Sequence, residues 1–335
     1  MWRTAYLSII LLFLYCLSAK AQQESGYHIQ QYTTDNGLPS NGIKGMQWDE
    51  EHGFLWLATE AGMSRYNGLD FTNFTKENTP GLSHERMAYV VKNNAGSIFA
   101  ADVNGNIVQV ITNKLQYLPL PGTEKIVGFK KRFYLNSLGS RSHKKLLPFI
   151  LGTGNAPWDR VFLTPDSALL VVDNRKNYYY SQAGDTTFHQ LNPGRKFTRE
   201  FMVNDQIFFM DENKQCWKGE SGYTSFVPVS SGTGMQSFLS APDFWLYWDN
   251  GMDNPIAFAG SNAWLISYTN GQLQPELICS AIPSYSYIRF AQYSKKNKLL
   301  FLGTDSKGII IINENRVNSI KKKNTTTPSL LKSNR

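Results

Sequence analysis

Hydrophobic residues in this chain come in short runs closed by turn signals, and helical spacing is scarce beyond the first twenty residues. The clearest run of this kind spans Asp49 to Phe74. Asp49 to Gly53 is a polar turn, and Phe54 to Thr59 is an apolar strand rich in aromatic and branched residues. Glu60-Ala61-Gly62 reverses the chain into a second strand, Met63 to Tyr66. Asn67-Gly68 is a strong hairpin signal leading to a third, Asp70 to Thr75. Phe54 to Ala58 does not alternate apolar with polar. A strand covered on both faces needs no alternation, so this sheet is expected to lie between two others.

The pattern recurs in weaker form. Leu299 to Ile312, around Gly303 and Gly308, repeats the order apolar strand, Thr, short turn, Gly, apolar strand. Gly96 to Val110 and Asp205 to Trp217 are further copies. Asp166 to Tyr180 and Arg132 to Asn136 are fainter, and Phe244 to Trp248 joins the hairpin text around Asn270-Gly271. The spacing of roughly 35 to 55 residues is that of propeller blades. One small sheet with two greasy faces cannot stand alone, and radial stacking solves that. The expected fold is all-β, a single β-propeller over residues 22–320. Seven blades fit the count, with six or eight open.

Three motifs carry a family resemblance: Asn36-Gly37-Leu38-Pro39-Ser40-Asn41, Gly53-Phe54-Leu55-Trp56-Leu57-Ala58-Thr59, and Gly62-Met63-Ser64-Arg65-Tyr66-Asn67-Gly68 with Phe71. Together they resemble the two-component regulator propeller repeat, found in periplasmic sensor regions of hybrid two-component systems. The match is close over Gly26 to Phe74, degenerate at Leu300 to Ile312 and thin between. The resemblance implies a ligand-sensing or interaction propeller, with oligosaccharides as ligands and a membrane receptor or kinase as partner. In that family the propeller continues into a sandwich domain, a membrane helix and a kinase; the resemblance here covers the propeller text and not those output parts.

The first 21 residues differ from the rest. Arg3 precedes an apolar stretch from Ala5 to Leu17, and Ala19-Lys20-Ala21 fits a small-x-small cleavage site. This reads as a secretory signal peptide cleaved before Gln22, giving a periplasmic or secreted protein that is not integral to the membrane. An uncleaved anchor would be short for a bilayer, and a lipoprotein anchor on Cys16 would put Tyr15 where a small residue is wanted. Residues 321–335 read as a disordered basic tail.

The chain has 34 Lys and Arg against 26 Asp and Glu, a net charge of +8. Two of the basic residues lie in the leader and six beyond Glu314, with no acids among them; subtracting those eight from 34 leaves 26, equal to the acids. The propeller body is neutral by count, and a nucleic-acid partner is not expected. Cys216 and Cys279 remain after cleavage. They are read as two buried thiols, with a disulfide as the alternative in an oxidising compartment.

Tyr27 to Thr33 is a strand that precedes the first inner strand, Gly42 to Trp48. It is expected to complete the last blade, pairing near Arg316 to Ile320, and so to close the ring. Asp49 to Trp56 resembles the aspartate box of sialidases, a turn that stabilises folds and lies away from catalysis. No catalytic motif, metal-ligand spacing or cofactor signature stands out, so no enzyme activity, metal or cofactor is expected. Glu50-Glu51 and Asp211-Glu212 read as solvated turn acids. Trp245, Tyr247 and Trp248 could form a sugar platform but fit blade packing better. Ligand contacts are expected on the face carrying the outer-to-inner loops, with His84, Arg86, Trp158, Asp159 and Arg160 as the candidate polar and aromatic set. The other readings are a secreted propeller glycosidase or polysaccharide lyase, and a non-catalytic protein-binding scaffold.

Overall fold

The computed structural model describes residues 26–80, 82, 84–92, 97–104, 106–111, 114–117, 158–163, 168–173, 175–182, 189–232, 234–249, 252–283 and 287–314. They form four four-stranded antiparallel sheets and one eight-stranded sheet made of two four-stranded antiparallel halves, six units numbered here as blades I to VI in chain order. Blade I holds β2 (Ile43–Asp49), β3 (Phe54–Thr59), β4 (Gly62–Tyr66) and β5 (Phe71–Phe74). Blade II holds β6 (Met87–Lys92), β7 (Ile98–Asp102), β8 (Ile107–Ile111) and β9 (Lys114–Tyr117). Blade III holds β10 (Trp158–Leu163), β11 (Leu169–Asp173), β12 (Tyr178–Ser181) and β13 (His189–Leu191). Blade IV holds β14 (Phe197–Val203), β15 (Gln206–Asp211), β16 (Cys216–Gly219) and β17 (Phe226–Ser231). Blade V holds β18 (Trp245–Tyr247), β19 (Ile256–Ala259), β20 (Asn262–Thr269) and β21 (Gln272–Cys279). Blade VI is β22 (Ile288–Ser294), β23 (Leu299–Thr304) and β24 (Ile309–Glu314), completed by the N-terminal strand β1 (Tyr27–Tyr32). The expectation of seven blades also bears on residues 118–157, and with the text at Arg132 to Asn136, the leader and the basic tail these lie outside the described residues.

β1 is the strap of the ring. It runs antiparallel to β24, with Tyr27 opposite Glu314 and Tyr32 opposite Ile309. The partner segment is therefore Ile309–Glu314, not Arg316 to Ile320 as the sequence suggested. The reason is that β24 is itself the third strand of its blade and offers its own free edge. Two glycines show that β1 fills an ordinary outer-strand slot. Gly62 (φ 109°) lies against the carbonyl of Phe74 on β5, and Gly308 (φ 75°) lies in the same way against the carbonyl of Tyr32 on β1. A methyl at either position would overlap that carbonyl, and the positive φ already favours glycine.

The sheets pack face to face as the unalternating strands require. In blade I, Leu55, Trp56, Leu57 and Ala58 are all fully buried. Leu55 and Leu57 pack toward Phe301, Ile309 and Ile311 of blade VI, while Trp56 and Ala58 pack toward Met87, Val90 and Ala100 of blade II. The alternation exists but sorts residues between two neighbours, not between core and water. Burying one such side chain is worth about 1.5–3 kcal/mol. Blades III to V share a more aromatic seam in which Phe197, Phe209, Phe226 and Tyr178 cluster with centroids 4.8 to 5.9 Å apart. Trp248 stacks on Phe162 at 5.1 Å and Trp245 on Phe258 at 5.0 Å, so these tryptophans pack blades as expected.

Ser230 to Gly234 is composed of turn residues and by composition alone would be a loop. Instead β17 continues to Ser231, pairs in parallel with Gln272 and Leu273 of β21, and leads into a one-turn helix α1 (Met235–Leu239). The outer edges of blades IV and V are thereby joined into one eight-stranded sheet. Cys216 and Cys279 are buried thiols on β16 and β21. Burial pushes the Cys216 thiol up to about 12. Among the described residues, no helix is long and apolar enough to cross a membrane.

Candidate functional site

Two kinds of connection meet on one end of the ring, called here the upper face: the turns between second and third strands, and the links from each outer strand to the next inner strand. A β-bulge sits near the start of the inner strand in blades I, II, III, IV and VI, just beneath this face. Bulges re-aim side chains at sheet ends.

The turns use two chemistries. In blades VI and I a threonine hydroxyl donates back to a glycine carbonyl, Thr304 Oγ1 to Gly308 at 2.7 Å and Thr59 Oγ1 to Gly62 at 2.8 Å. In blades II, III and IV an aspartate takes over. Asp102, Asp173 and Asp211 each accept from the backbone N–H four residues on, at 2.9, 2.8 and 3.0 Å. In blades II and III the other Asp oxygen accepts from the Asn106 and Asn177 amides, and in blade IV it accepts from Trp217 Nε1 at 2.9 Å. Asp211 is thus a buried turn anchor and not the solvated acid expected. The sequence signal was present as Asp-x-x-x-Asn/Gln at 102–106, 173–177 and 211–215.

In blades III and IV the residue before the closing Asn or Gln is a lysine with positive φ, Lys176 and Lys214, both at 62°. Each reaches across a seam. Lys214 Nζ donates to the carbonyls of Leu239, the last residue of α1, and of Ala241 just beyond it, and lies over the Phe244 ring. Lys176 Nζ donates to Glu200 on β14 at 3.1 Å, and the Tyr178 hydroxyl donates to the same carboxylate at 2.6 Å. The Glu200 side chain has no solvent exposure.

Around blades VI, I and II several charges on the upper face are paired with one another. Glu60 binds Lys44 at 2.7 Å and stands 3.7 Å from Arg86, and Arg289 binds Asp305 at 3.1 Å. The hydrogen bond from Lys44 holds the Glu60 carboxyl below its usual range. Backbone bonds bridge the loops, Gly308 N to Asn41 O at 2.9 Å and Val103 N to Arg86 O at 3.0 Å.

Of the candidate set, His84 and Arg86 lie on the link into β6, where His84 Nδ1 accepts from the Arg86 backbone N–H at 2.9 Å. Trp158, Asp159 and Arg160 open β10, the same position one described blade further along. Trp158 pairs through its backbone with Asp173, next to the blade III turn. The side chains of these three lie outside the described residues.

Sequence reasoning missed a different feature. Between blades III and IV the upper face holds an open pocket of about 710 Å³, lined by Arg175, Lys176, Tyr178, Asn192, Arg195 and Lys196 among others. Among the described residues, no acidic residue lines it. Arg195 lies over the Trp217 indole, 3.5 Å from ring centroid to guanidinium carbon. A count over the whole chain could not reveal this, because the two basic pairs are 20 residues apart and meet only across the seam. A second cavity of about 460 Å³ opens on the lower face, between Trp48, Glu50, Lys92, Asp253 and Gln292.

Sheets of four antiparallel strands, packed radially and strapped by the chain's first strand, make this a β-propeller. No family model and no characterised protein matches the sequence. Solved structures do align with it. The extracellular domain assigned to the hybrid two-component system BT3049 of B. thetaiotaomicron aligns over 85% of this chain at 14% identity, with a TM-score of 0.41. YCF48 bound to a D1 peptide aligns over 88% of this chain and 98% of its own, at 10% identity and a TM-score of 0.45. RRP9 WD40 repeats align over 85% of this chain and 99% of their own, at 9% identity and a TM-score of 0.46. The chain spans 42% of the length of the BT3049 domain. At these identities the likeness is one of fold.

Proposed function

We propose that this chain is a non-catalytic, ligand-reading propeller exported to the periplasm, the input part of a two-component sensor, with an oligosaccharide as ligand and a membrane receptor or kinase as partner. The observation that carries the reading is the upper face. Its loops are tied to one another across the seams by backbone bonds and ion pairs, as at Gly308 to Asn41 and Glu60 to Arg86. A face fixed in advance binds without the entropy cost of ordering loops. The repeat text around Asn36 to Asn41 and Gly62 to Gly68 supports the sensor assignment over other propellers. One acid of each paired-acid motif is engaged in holding the fold: Asp211 accepts from Trp217 Nε1, and Glu50 accepts from Trp48 Nε1 and Ser294. A glycosidase needs two carboxylates facing a substrate.

The test is a thermal-shift screen of the exported chain against plant, mucin and host glycan fragments. Stabilisation by a few related oligosaccharides, with no release of sugar from any of them, is expected. Hydrolysis or elimination of a glycan would replace this reading with the enzyme one. No shift with any glycan, together with capture of a receptor, would replace it with the scaffold one.

A further inference from the structure

The pocket between blades III and IV carries more charge than a propeller seam needs. Four cationic side chains line it, and the carboxylates nearby are already engaged. Glu200 lies beneath, holding Lys176 and Tyr178. Asp173 binds the turn backbone and the Asn177 amide, and Asp211 binds its own turn and Trp217. Among the described residues, Arg195 and Lys196 form no ion pair with any acid, and both are exposed.

Solvated surface cations are usually mobile, and two features distinguish these. Arg195 is spread on an indole that is itself anchored through Nε1 to Asp211. The guanidinium is therefore held against an anchored ring beside the pocket, and its planar fork of N–H donors suits two-point binding of a planar anion. Lys176 is fixed on the opposite wall by a fully buried carboxylate at 3.1 Å. The pocket is a preformed cradle whose walls come from different blades, and its volume matches a ligand of one or two sugar rings.

We infer that this pocket binds a small acidic ligand through its carboxylate groups, with Arg195 as the two-point anchor and Lys196 and Arg175 as the flanking charges. The anion site stands on the pocket alone. That the anion is part of a sugar, such as a uronic acid, rests on the sensing reading above.

The test is calorimetric titration of the full exported chain with digalacturonate, with neutral galactobiose and with inorganic sulfate. Digalacturonate is expected to bind, about tenfold more weakly in Arg195→Gln and further in Arg195→Gln with Lys196→Gln, since each lost charge-assisted bond is of that order. Affinity should fall as NaCl rises from about 20 to 200 mM. Both residues are exposed, so the variants should fold, and an unchanged urea midpoint checks this. Sulfate binding that is lost in the double variant, with no uptake of either sugar, would keep the anion site and remove the sugar assignment. Equal binding of galactobiose and digalacturonate, equal binding by wild type and double variant, or no binding of either anion would overturn the proposal.

Discussion

The arc of blades VI, I and II and the arc of blades III and IV solve the same problem in opposite ways. In the first, upper-face charges meet partners in the open: Glu60 and its partners Lys44 and Arg86 are all at least 30% exposed. In the second, one carboxylate is hidden completely and the cations it does not satisfy are left facing a hollow. The turn chemistry divides almost along the same line, Thr with Gly in blades VI and I against Asp with Asn or Gln in blades II to IV. An Asp-based turn consumes its own carboxylate, so a lysine at its tip must find a partner on the next blade. That is how Lys176 comes to be pinned over Glu200. A surface whose charges pair locally holds its loops in place; a surface that immobilises cations beside a hollow keeps its positive potential directed into it.

The largest effect separating the two arcs should come from Glu200. Glu200→Ala removes the acceptor for the Tyr178 hydroxyl and the Lys176 ammonium and leaves space in a packed seam. We expect a loss of about 2–3 kcal/mol in urea unfolding. Glu200→Gln keeps the volume and one acceptor, and should cost roughly half as much. Equal, negligible losses in both would mean that blade III does not depend on this carboxylate and that Lys176 is not fixed by it.

Much of this was legible beforehand, for identifiable reasons. The strands of blade I could be read almost residue by residue because Asn67-Gly68 and Gly62 permit few backbone paths. The strap at Tyr27 was legible because an outer-strand pattern preceded the first inner strand. Its register was not, because Ile309 to Ile312 reads equally as a third strand or as the end of a blade. The β17 to β21 pairing and α1 were hidden because Ser230 to Gly234 is composed of turn residues, while the bonds that order it come from Gln272 and Leu273 some forty positions away. The candidate contacts at His84 and Arg86 fell on the intended face, but on its self-neutralised arc. The cationic pocket was invisible to a charge count because that count averages over the ring, whereas the pocket is made where two blades touch.

A middle-sized effect is expected at Asp173, where turn chemistry and pocket meet. Burial by itself raises its pKa, but the Asn177 amide, the Asn177 and Arg175 backbone N–H groups and the Arg175 charge outweigh that and hold the carboxyl below its ordinary value. A folded value lowered in this way adds stability that is present above the unfolded value, near 4, and is lost as pH falls through the folded one. Asp173→Asn should cost about 0.5–1 kcal/mol at pH 7, a figure already reduced for solvent screening. The gap to wild type should narrow as pH falls below the unfolded carboxylate value, near 4. A gap that stays constant from pH 7 to pH 2.5 would show that Asp173 acts through shape alone.

The smallest effect is expected at Glu60, and it tests the other half of the comparison. Lys44 and Glu60 lie 2.7 Å apart, yet their side chains are 30% and 46% exposed, and Arg86 at 3.7 Å is 57% exposed. Water and salt screen such a pair, and holding two long side chains in one geometry costs entropy that offsets the attraction. The carboxyl is lowered by the Lys44 hydrogen bond, so whatever it contributes is present above the unfolded carboxylate value and lost in acid. Glu60→Gln should therefore leave the urea midpoint unchanged within error at 300 mM NaCl and lower it only marginally at 20 mM. If the midpoint instead drops as far as in Glu200→Gln, the exposed bridge is holding blades I and II together. The two arcs would then differ in appearance and not in mechanism.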